Sequence, residues 1–167
     1  MRAVSGPPVI DPATYRHVLG HFLTGVTVIT AIDPDTQAPT GLAASSFTSV
    51  SMDPPLVSFC AARTSTTWPR LRAAGHYCVN ILGDGHAELS RRFASKQERK
   101  FDGLAWRSGA SRAPVLEEAI AWIDCALHGE LDAGDHVIAL GRVLELGARE
   151  GASPLAYYRG GYGRLAP

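Results

Sequence analysis

The sequence predicts a mainly β fold with a few short helices, arranged as an antiparallel barrel that is closed or partly open. Residues 119–146 alternate between apolar and polar positions on both sides of a turn at 132–135. That turn is far too short for a crossover, so the two strands are antiparallel. The remaining strand-like segments are short and joined by turn residues. Because no G-x-G-x-x-G motif separates a strand from a helix, a Rossmann domain is not predicted.

The N-terminal part of the chain predicts a flexible arm followed by a helix. The arm covers residues 1–10, and a single domain is expected over residues 11–167. Asp11-Pro12 begins the helix, because aspartate is a favoured N-cap and proline a favoured first helical residue. The apolar stripe of this helix, which is expected to face the body of the protein, consists of Tyr15, Val18, Leu19 and Phe22.

Residues 25–32 predict a buried strand, since they are β-branched and apolar on both faces. The stretch that follows, residues 39–60, reads P-T-G-L-A-A-S-S-F-T-S-V-S-M-D-P-P-L-V-S-F-C. It predicts two strands, with a tight corner at Asp53-Pro54-Pro55 because proline removes a backbone donor and fixes φ. Its hydroxyls, its accessible amides and its small side chains also suit a groove for a flat ligand with polar edges. Composition alone leaves both interpretations open.

Residues 63–67, R-T-S-T-T, immediately precede a predicted helix that ends at Gly75. Free amides, hydroxyls and Arg63 indicate a phosphate site, although simple N-capping by Ser65 or Thr66 explains the same residues.

Residues 76–82 predict another strand, and a short helix begins at His86. Residues 90–101 are the main basic concentration, and such runs are usually solvated helix faces. Residues 104–106 predict a short strand, followed by a loop at 108–114.

Composition excludes several functional classes. The chain has 167 residues, of which 46% are apolar, and 16 basic residues balance 16 acidic ones. This balance gives no field that attracts nucleic acid or an anionic membrane, and neither partner is predicted. We find neither a signal peptide nor a membrane-spanning run. The three cysteines are odd in number, widely spaced and set among apolar neighbours, which indicates buried free thiols, a reducing compartment and therefore a cytoplasmic protein.

Several motifs occur in order along nearly the whole chain. They are G-V-T-V-I-T at 25–30, S-S-F-T-S-V-S-M-D-P-P-L-V at 45–57, Y-C-V-N-I-L at 77–82, F-A-S at 93–95, K-F at 100–101, G-D-H at 134–136 and Y-Y-R-G-G-Y-G at 157–163. Together they resemble the flavin reductase-like family, the FMN-binding split β-barrels that include reductase components of two-component flavin monooxygenases. The resemblance implies a Greek-key-like antiparallel barrel.

The resemblance also implies a function. It points to an NAD(P)H-dependent flavin reductase that transfers a hydride to FMN, or alternatively to FAD or riboflavin, and supplies reduced flavin to a separate monooxygenase. Members are typically homodimers with each flavin near the subunit interface. Many relatives carry asparagine in the serine-rich run where this chain has Ser45-Ser46, which leaves the choice of flavin open. The alternatives are reduction of a corrin cobalt or ferric chelate, flavin-based electron transfer without a nicotinamide site, or a barrel without cofactor.

Site residues follow from the same resemblance. His136 is expected beside the flavin and nicotinamide rings as the catalytic residue, whereas a lone histidine at a strand start is otherwise an ordinary surface residue. No metal ligands are expected. The predicted cofactor-binding residues are Ala43, Ala44, Ser45, Ser46, Ser49, Val50, Ser51, Cys60, Ala61, Arg63, Ser65, Thr66, Thr67, Phe93, Ser95, Lys100, Phe101, Tyr158 and Tyr162.

Overall fold

A computed structural model describes residues 9–165, which form three helices and twelve strands. In chain order these are α1 (Pro12–Leu19), β1 (Thr24–Gly25), β2 (Thr27–Ile32), β3 (Pro39–Ala44), β4 (Thr48–Met52), β5 (Pro55–Ala62), α2 (Trp68–Ala74), β6 (His76–Ile81), α3 (Ala87–Ala94), β7 (Trp106–Ser108), β8 (Pro114–Leu116), β9 (Ala121–Ala133), β10 (His136–Ala148), β11 (Leu155–Tyr158) and β12 (Gly161–Arg164). The predicted mainly β fold with short helices is confirmed.

The main sheet contains seven strands in the order β3-β2-β6-β9-β10-β5-β4. All of its pairings are antiparallel, and the β9–β10 hairpin turns at Gly134, whose φ of +65° favours glycine. β3 and β4 are the two edge strands, so the sheet curves without closing its ladder of hydrogen bonds. Of the two forms that the sequence left open, the structure has the partly open one.

Two smaller sheets complete the described fold. One joins β1, β11 and β12, and the other pairs β7 with β8. The predicted strand at 104–106 begins only at Trp106, and β8 falls at the end of a segment predicted to be a loop. The reason is a contact distant in sequence: the Leu116 amide donates to Oδ1 of the buried Asn80 at 2.7 Å. Local patterns do not encode such a partner.

Aromatic rings form the centre of the core inside the curved sheet. Phe59 packs edge-on against Trp68 and Tyr77, with ring centroids 5.5 and 5.4 Å apart. A second cluster, which includes Val28, Leu82 and Phe93, joins the sheet to α3. The buried character predicted for residues 25–32 holds throughout most of β2. This packing fixes the positions of β3, β5 and α3, which form the walls of the candidate site.

α1 differs from the sequence-based prediction. Its N-terminus is as expected, because Oδ2 of Asp11 accepts from the Thr14 amide at 2.9 Å. None of its residues is buried, however, and the helix ends at Leu19, so that Phe22 lies beyond it with 76% of its surface exposed. The prediction that this stripe faces the body of the chain is therefore wrong. Periodicity identifies an apolar face but does not say which surface covers it.

The terminal segments and the cysteines complete the description. Residues 1–8 of the predicted arm lie outside the described residues, whereas Val9 and Ile10 are exposed. Between residues 9 and 165, none of the helices has the length and apolar character that a bilayer crossing requires. Cys60, Cys78 and Cys125 are all free thiols; Cys78 and Cys125 are buried as predicted, whereas Cys60 is partly exposed.

Candidate functional site

Three adjoining cavities lie along β3, the open edge of the main sheet. The tyrosine cavity, of about 180 Å³, is bounded by Ala43, Ser45, Tyr157 and Tyr162, among others. The serine cavity, of about 470 Å³, lies next to it, and the lysine cavity, of about 370 Å³, follows at the start of β3 around Gly41 and Lys100. Neighbouring cavities share wall residues and so adjoin one another along β3; the three together are called the groove below.

The serine cavity contains more of the predicted cofactor-binding residues than either of the other two cavities. It lies in the split between β3 and β5, and α3, the segment after β5 and the start of β10 complete its walls. The wall residues are Leu42, Ala43, Ala44, Ser45, Ser46, Cys60, Ala61, Ala62, Thr64, Ser65, Thr66, Thr67, Phe93, Ala94, Ser95, Lys96, Lys100 and His136.

The β3 wall suits a flat, polar-edged ligand. In the described chain β3 pairs only with β2, so the peptide groups on its other edge face the split. Its side chains there are small, and Gly41 is in close contact with the Phe93 ring, whose Cε1 lies 2.9 Å from where a Cβ would stand. Gly41 is thus covered by Phe93, and it is the short side chains of Ala43, Ala44 and Ser45 that let a ring system approach the backbone of β3. The dimensions and the donors fit a flavin nucleotide.

Not every predicted hydroxyl is available to a ligand. Ser46 connects the two sides of the split, because its Oγ accepts from the Cys60 amide at 2.8 Å. The Ser65 Oγ is occupied in the turn that leads into α2, where it accepts from the amides of Trp68 at 3.1 Å and Thr67 at 3.3 Å. The N-cap residue of α2 is Thr67, whose side chain makes no capping hydrogen bond, so the predicted N-capping by Ser65 or Thr66 is wrong. Among residues 9–165, the Ser45 and Thr66 hydroxyls make no hydrogen bond and face the serine cavity.

Lys100 is a buried cation beside the cavities. Only 8% of its surface is exposed, and its Nζ donates to the carbonyl oxygens of Phe93 at 3.0 Å and Gly41 at 3.2 Å. Burial lowers the pKa of this ammonium group from lysine's ordinary value. Lys100 thus links the end of α3 to β3 and lines both the serine and the lysine cavities.

His136 stands at the first position of β10, at the mouth of the serine cavity. Its Nδ1 lies 2.7 Å from Oδ1 of Asp135. An ionised carboxylate only accepts hydrogen bonds, so Nδ1 carries the proton and donates it, which leaves Nε2 free for a ligand. The same hydrogen bond lowers the pKa of Asp135. Asp135 therefore fixes the orientation and the tautomer of the ring.

Arg63 does not line any of the three cavities. Its Nη2 lies 2.5 Å from Oδ1 of Asp132, its Nε donates to the Gly134 carbonyl at 2.9 Å, and its amide donates to the Asp135 carbonyl at 2.9 Å. Arg63 thus holds the β9–β10 turn that presents His136. Its predicted contact with phosphate has no support in this arrangement, and its position indicates a positioning residue.

The other predicted residues divide into two groups. Phe101 lines the lysine cavity, and Tyr162 lines the tyrosine cavity, where its hydroxyl lies 2.8 Å from Ser90 Oγ. The residues that lie outside all three cavities, besides Arg63, are Ser49, Val50, Ser51 and Tyr158. Ser49, Val50 and Ser51 belong to β4, the opposite edge strand, and β5 separates them from the groove. Their predicted contact with the cofactor stays a prediction.

Sequence reasoning missed five residues of the serine cavity: Leu42, Ala62, Thr64, Ala94 and Lys96. Each lies directly beside a predicted residue in the chain. Ala62 and Thr64 extend the wall formed by β5, and Lys96 follows Ser95 at the end of α3. Taking whole segments instead of single motif positions would have included all five.

Comparison with known proteins identifies the family. A model of the flavin reductase like domain matches residues 19–166. The chain belongs to the flavin reductase-like family. A flavin reductase of Pseudomonas putida is 50% identical over 157 residues, which cover 94% of this chain and 92% of that protein.

Solved structures of the family have the same fold. A nitrilotriacetate monooxygenase component B homologue from Mycobacterium thermoresistibile superimposes with a TM-score of 0.89 at 40% identity, covering 93% of this chain and 87% of that one. The NADH:FAD oxidoreductase SgcE6 of Streptomyces globisporus C-1027, in complex with NAD and FAD fragments, gives a TM-score of 0.88 at 35% identity, covering 96% and 98%. The split barrel expected from the resemblance is thus the fold of these relatives.

Proposed function

We propose that this flavin reductase-like protein is an NAD(P)H:flavin oxidoreductase that reduces FMN or FAD and supplies the reduced flavin to a separate monooxygenase. The observation that carries the proposal is the groove at the split, where the small residues of β3, the Lys100 ammonium and the oriented imidazole of His136 line one cavity. Membership in the family supports it, as does the likeness to a protein named as a monooxygenase component.

The chain supplies binding and placement, because a bound flavin itself supplies the acceptor for the two electrons of a hydride. Ala43 and Ala44 allow a flat ring to lie against β3, and Ser45 and Thr66 offer hydroxyls to its polar edge. Lys100 places one positive charge at the end of the serine cavity that leads to the lysine cavity. A flavin with its rings toward Ser45 and its phosphate toward Lys100 satisfies all of these groups.

His136 acts on the nicotinamide side of the reaction. Hydride transfer requires the donor carbon about 3–3.5 Å from the acceptor atom and aligned with it. Within residues 9–165 every strand pairing is antiparallel, so no parallel βαβ unit grips the dinucleotide, and a few contacts must position it. The free Nε2 of His136, at the open mouth of the cavity, is available to hold the nicotinamide or a proton.

The exposed apolar residues support a homodimer, which we propose as the working form. Val9, Ile10, Val18 and Phe22 are largely exposed, and no other part of the described chain covers them. A second copy of the chain is the occupant implied by the family resemblance. Sedimentation velocity distinguishes a single 17.8 kDa chain from a dimer of twice that mass. The three free thiols fit a reducing cytoplasm, where we place the protein.

The proposed activity is tested by anaerobic mixing of the protein and flavin with NADH or NADPH. We expect the flavin absorbance near 450 nm to bleach only when protein is present. We also expect aerobic NADH oxidation to require added flavin if the flavin dissociates after each turnover. A protein that binds flavin but does not accelerate bleaching with either nucleotide contradicts the proposal and indicates an electron carrier.

A further inference from the structure

The groove continues beyond the serine cavity, in which the flavin ring system is proposed to lie. The lysine cavity, of about 370 Å³, adjoins the serine cavity and shares Thr66, Thr67, Lys96 and Lys100 with it. On its far side it shares Arg70 and other residues with a further hollow of about 350 Å³. A ligand with its phosphate near Lys100 therefore lies next to a second compartment.

Lys100 marks the junction of the two compartments. Its ammonium group has three N–H donors, and the structure gives acceptors for two of them, the carbonyl oxygens of Gly41 and Phe93. The third has no acceptor among the described residues, although the side chain is more than nine-tenths buried. A buried ammonium group with an unused donor between two cavities is suited to an anionic group that passes from one to the other.

The charges and the aromatic ring in the walls of the lysine cavity suit the phosphate and the base of a second nucleotide, as in a dinucleotide. Lys96 makes no ion pair within the described residues, and Arg70 is paired only loosely, with Nε 3.7 Å from Oδ2 of Asp33. Together with Lys100 they give three cations, opposed by the carboxylate of Glu98. The Phe101 ring in the wall offers an apolar surface against which a base can stack.

We propose that the lysine cavity binds the adenylate half of FAD, so that this enzyme takes the flavin dinucleotide in preference to FMN. The inference rests on the proposed flavin site in the serine cavity. FMN ends at one phosphate and uses only the Lys100 end of the groove. FAD continues through a second phosphate into the lysine cavity, where Arg70 and Lys96 add attraction that FMN lacks.

The test compares the dissociation constants of FAD and FMN in Arg70→Gln and Arg72→Gln, measured by flavin fluorescence. Both arginines lie on α2, both form a 3.7 Å ion pair, and their side chains are 53% and 57% exposed, but only Arg70 lines the lysine cavity. We expect the wild type to bind FAD at least about tenfold more tightly than FMN. Arg70→Gln should weaken FAD binding by about five- to tenfold while changing FMN binding less than twofold.

Glu98→Gln provides a test of opposite sign, which a folding defect cannot imitate. Removing this carboxylate from the cavity should tighten FAD binding by about two- to fivefold and leave FMN binding unchanged. Arg72→Gln should change neither constant.

If Arg70→Gln changes the dissociation constants of FAD and FMN equally, or changes neither, the proposed adenylate site is overturned. A raised KM for NADH with unchanged FAD binding also overturns it and assigns the cavity to the nicotinamide dinucleotide. The proposed flavin site is tested separately, because wild-type binding and reduction of FMN do not depend on the lysine cavity.

Discussion

His136→Ala is expected to slow the anaerobic reduction of bound flavin by NADH by about 10²-fold, measured in single turnover at saturating nucleotide. The flavin dissociation constant should change less than twofold, because the imidazole stands at the mouth of the cavity and Ser45, Thr66 and Lys100 remain. The large effect on rate follows from the absence of a Rossmann domain. With few contacts to position the nicotinamide, loss of one of them affects alignment directly.

Two further variants support the interpretation of His136. His128→Ala removes an exposed histidine from the neighbouring strand β9 and should leave the rate unchanged. Asp135→Asn retains the ring but loses the carboxylate that fixes its tautomer, and an intermediate loss of about three- to tenfold is expected. A wild-type rate for His136→Ala at every pH would show that His136 is only a surface residue.

Lys100→Met is expected to weaken flavin binding by at least about tenfold and to lower the free energy of unfolding by about 1–3 kcal/mol. Methionine retains most of the side-chain volume but leaves the carbonyl oxygens of Gly41 and Phe93 without their donor. It also removes the positive charge nearest the expected position of the flavin phosphate. Fluorescence titration gives the first quantity and urea denaturation the second.

Lys96→Met is the matched control for Lys100→Met. Lys96 lines the same two cavities but is exposed and makes no hydrogen bond or ion pair in the described part of the chain. Its loss should weaken FMN binding, which does not use the lysine cavity, only about two- to threefold and leave the unfolding free energy within about 0.5 kcal/mol of wild type. If both variants bind flavin equally well, the buried position of Lys100 has no particular role in the site.

The sequence predicted the strands and much of the groove because their signals are local. The β-branched run of β2, the turn around Gly134 and the alternation in β9 each follow from neighbouring residues. The family resemblance that the ordered motifs carry then implied which segments meet at the site. The start of β10 and the end of β5, which the fold brings together at the serine cavity, were therefore both among the segments predicted to form the site.

The roles of individual polar residues could not be predicted from the sequence, because they depend on partners distant along the chain. Arg63 binds the β9–β10 turn, some 70 residues away, instead of facing a phosphate. Ser46 bonds to the backbone of Cys60 across the split. Asp124 stands at a polar position in the alternation of β9 but is fully buried, because the Ser111 amide and hydroxyl both donate hydrogen bonds to its carboxylate.

The central claim, that flavin lies in the split between β3 and β5, is tested most directly by alkylation of the native protein with iodoacetamide. Cys60 is partly accessible in the serine cavity, whereas Cys78 and Cys125 are buried. Burial raises the pKa of Cys78 and raises that of Cys125 to about 12, so both remain protonated thiols that react slowly. Labelling of the native protein therefore reports on Cys60 without any mutation.

The rate of Cys60 labelling should be measured by peptide mass spectrometry with and without flavin. At a flavin concentration ten times its dissociation constant, we expect labelling to slow by about tenfold, because only the flavin-free fraction reacts. Adenosine at the same concentration serves as a control and should have no such effect. An unchanged labelling rate in protein shown to be saturated with flavin would contradict this site and place the cofactor elsewhere.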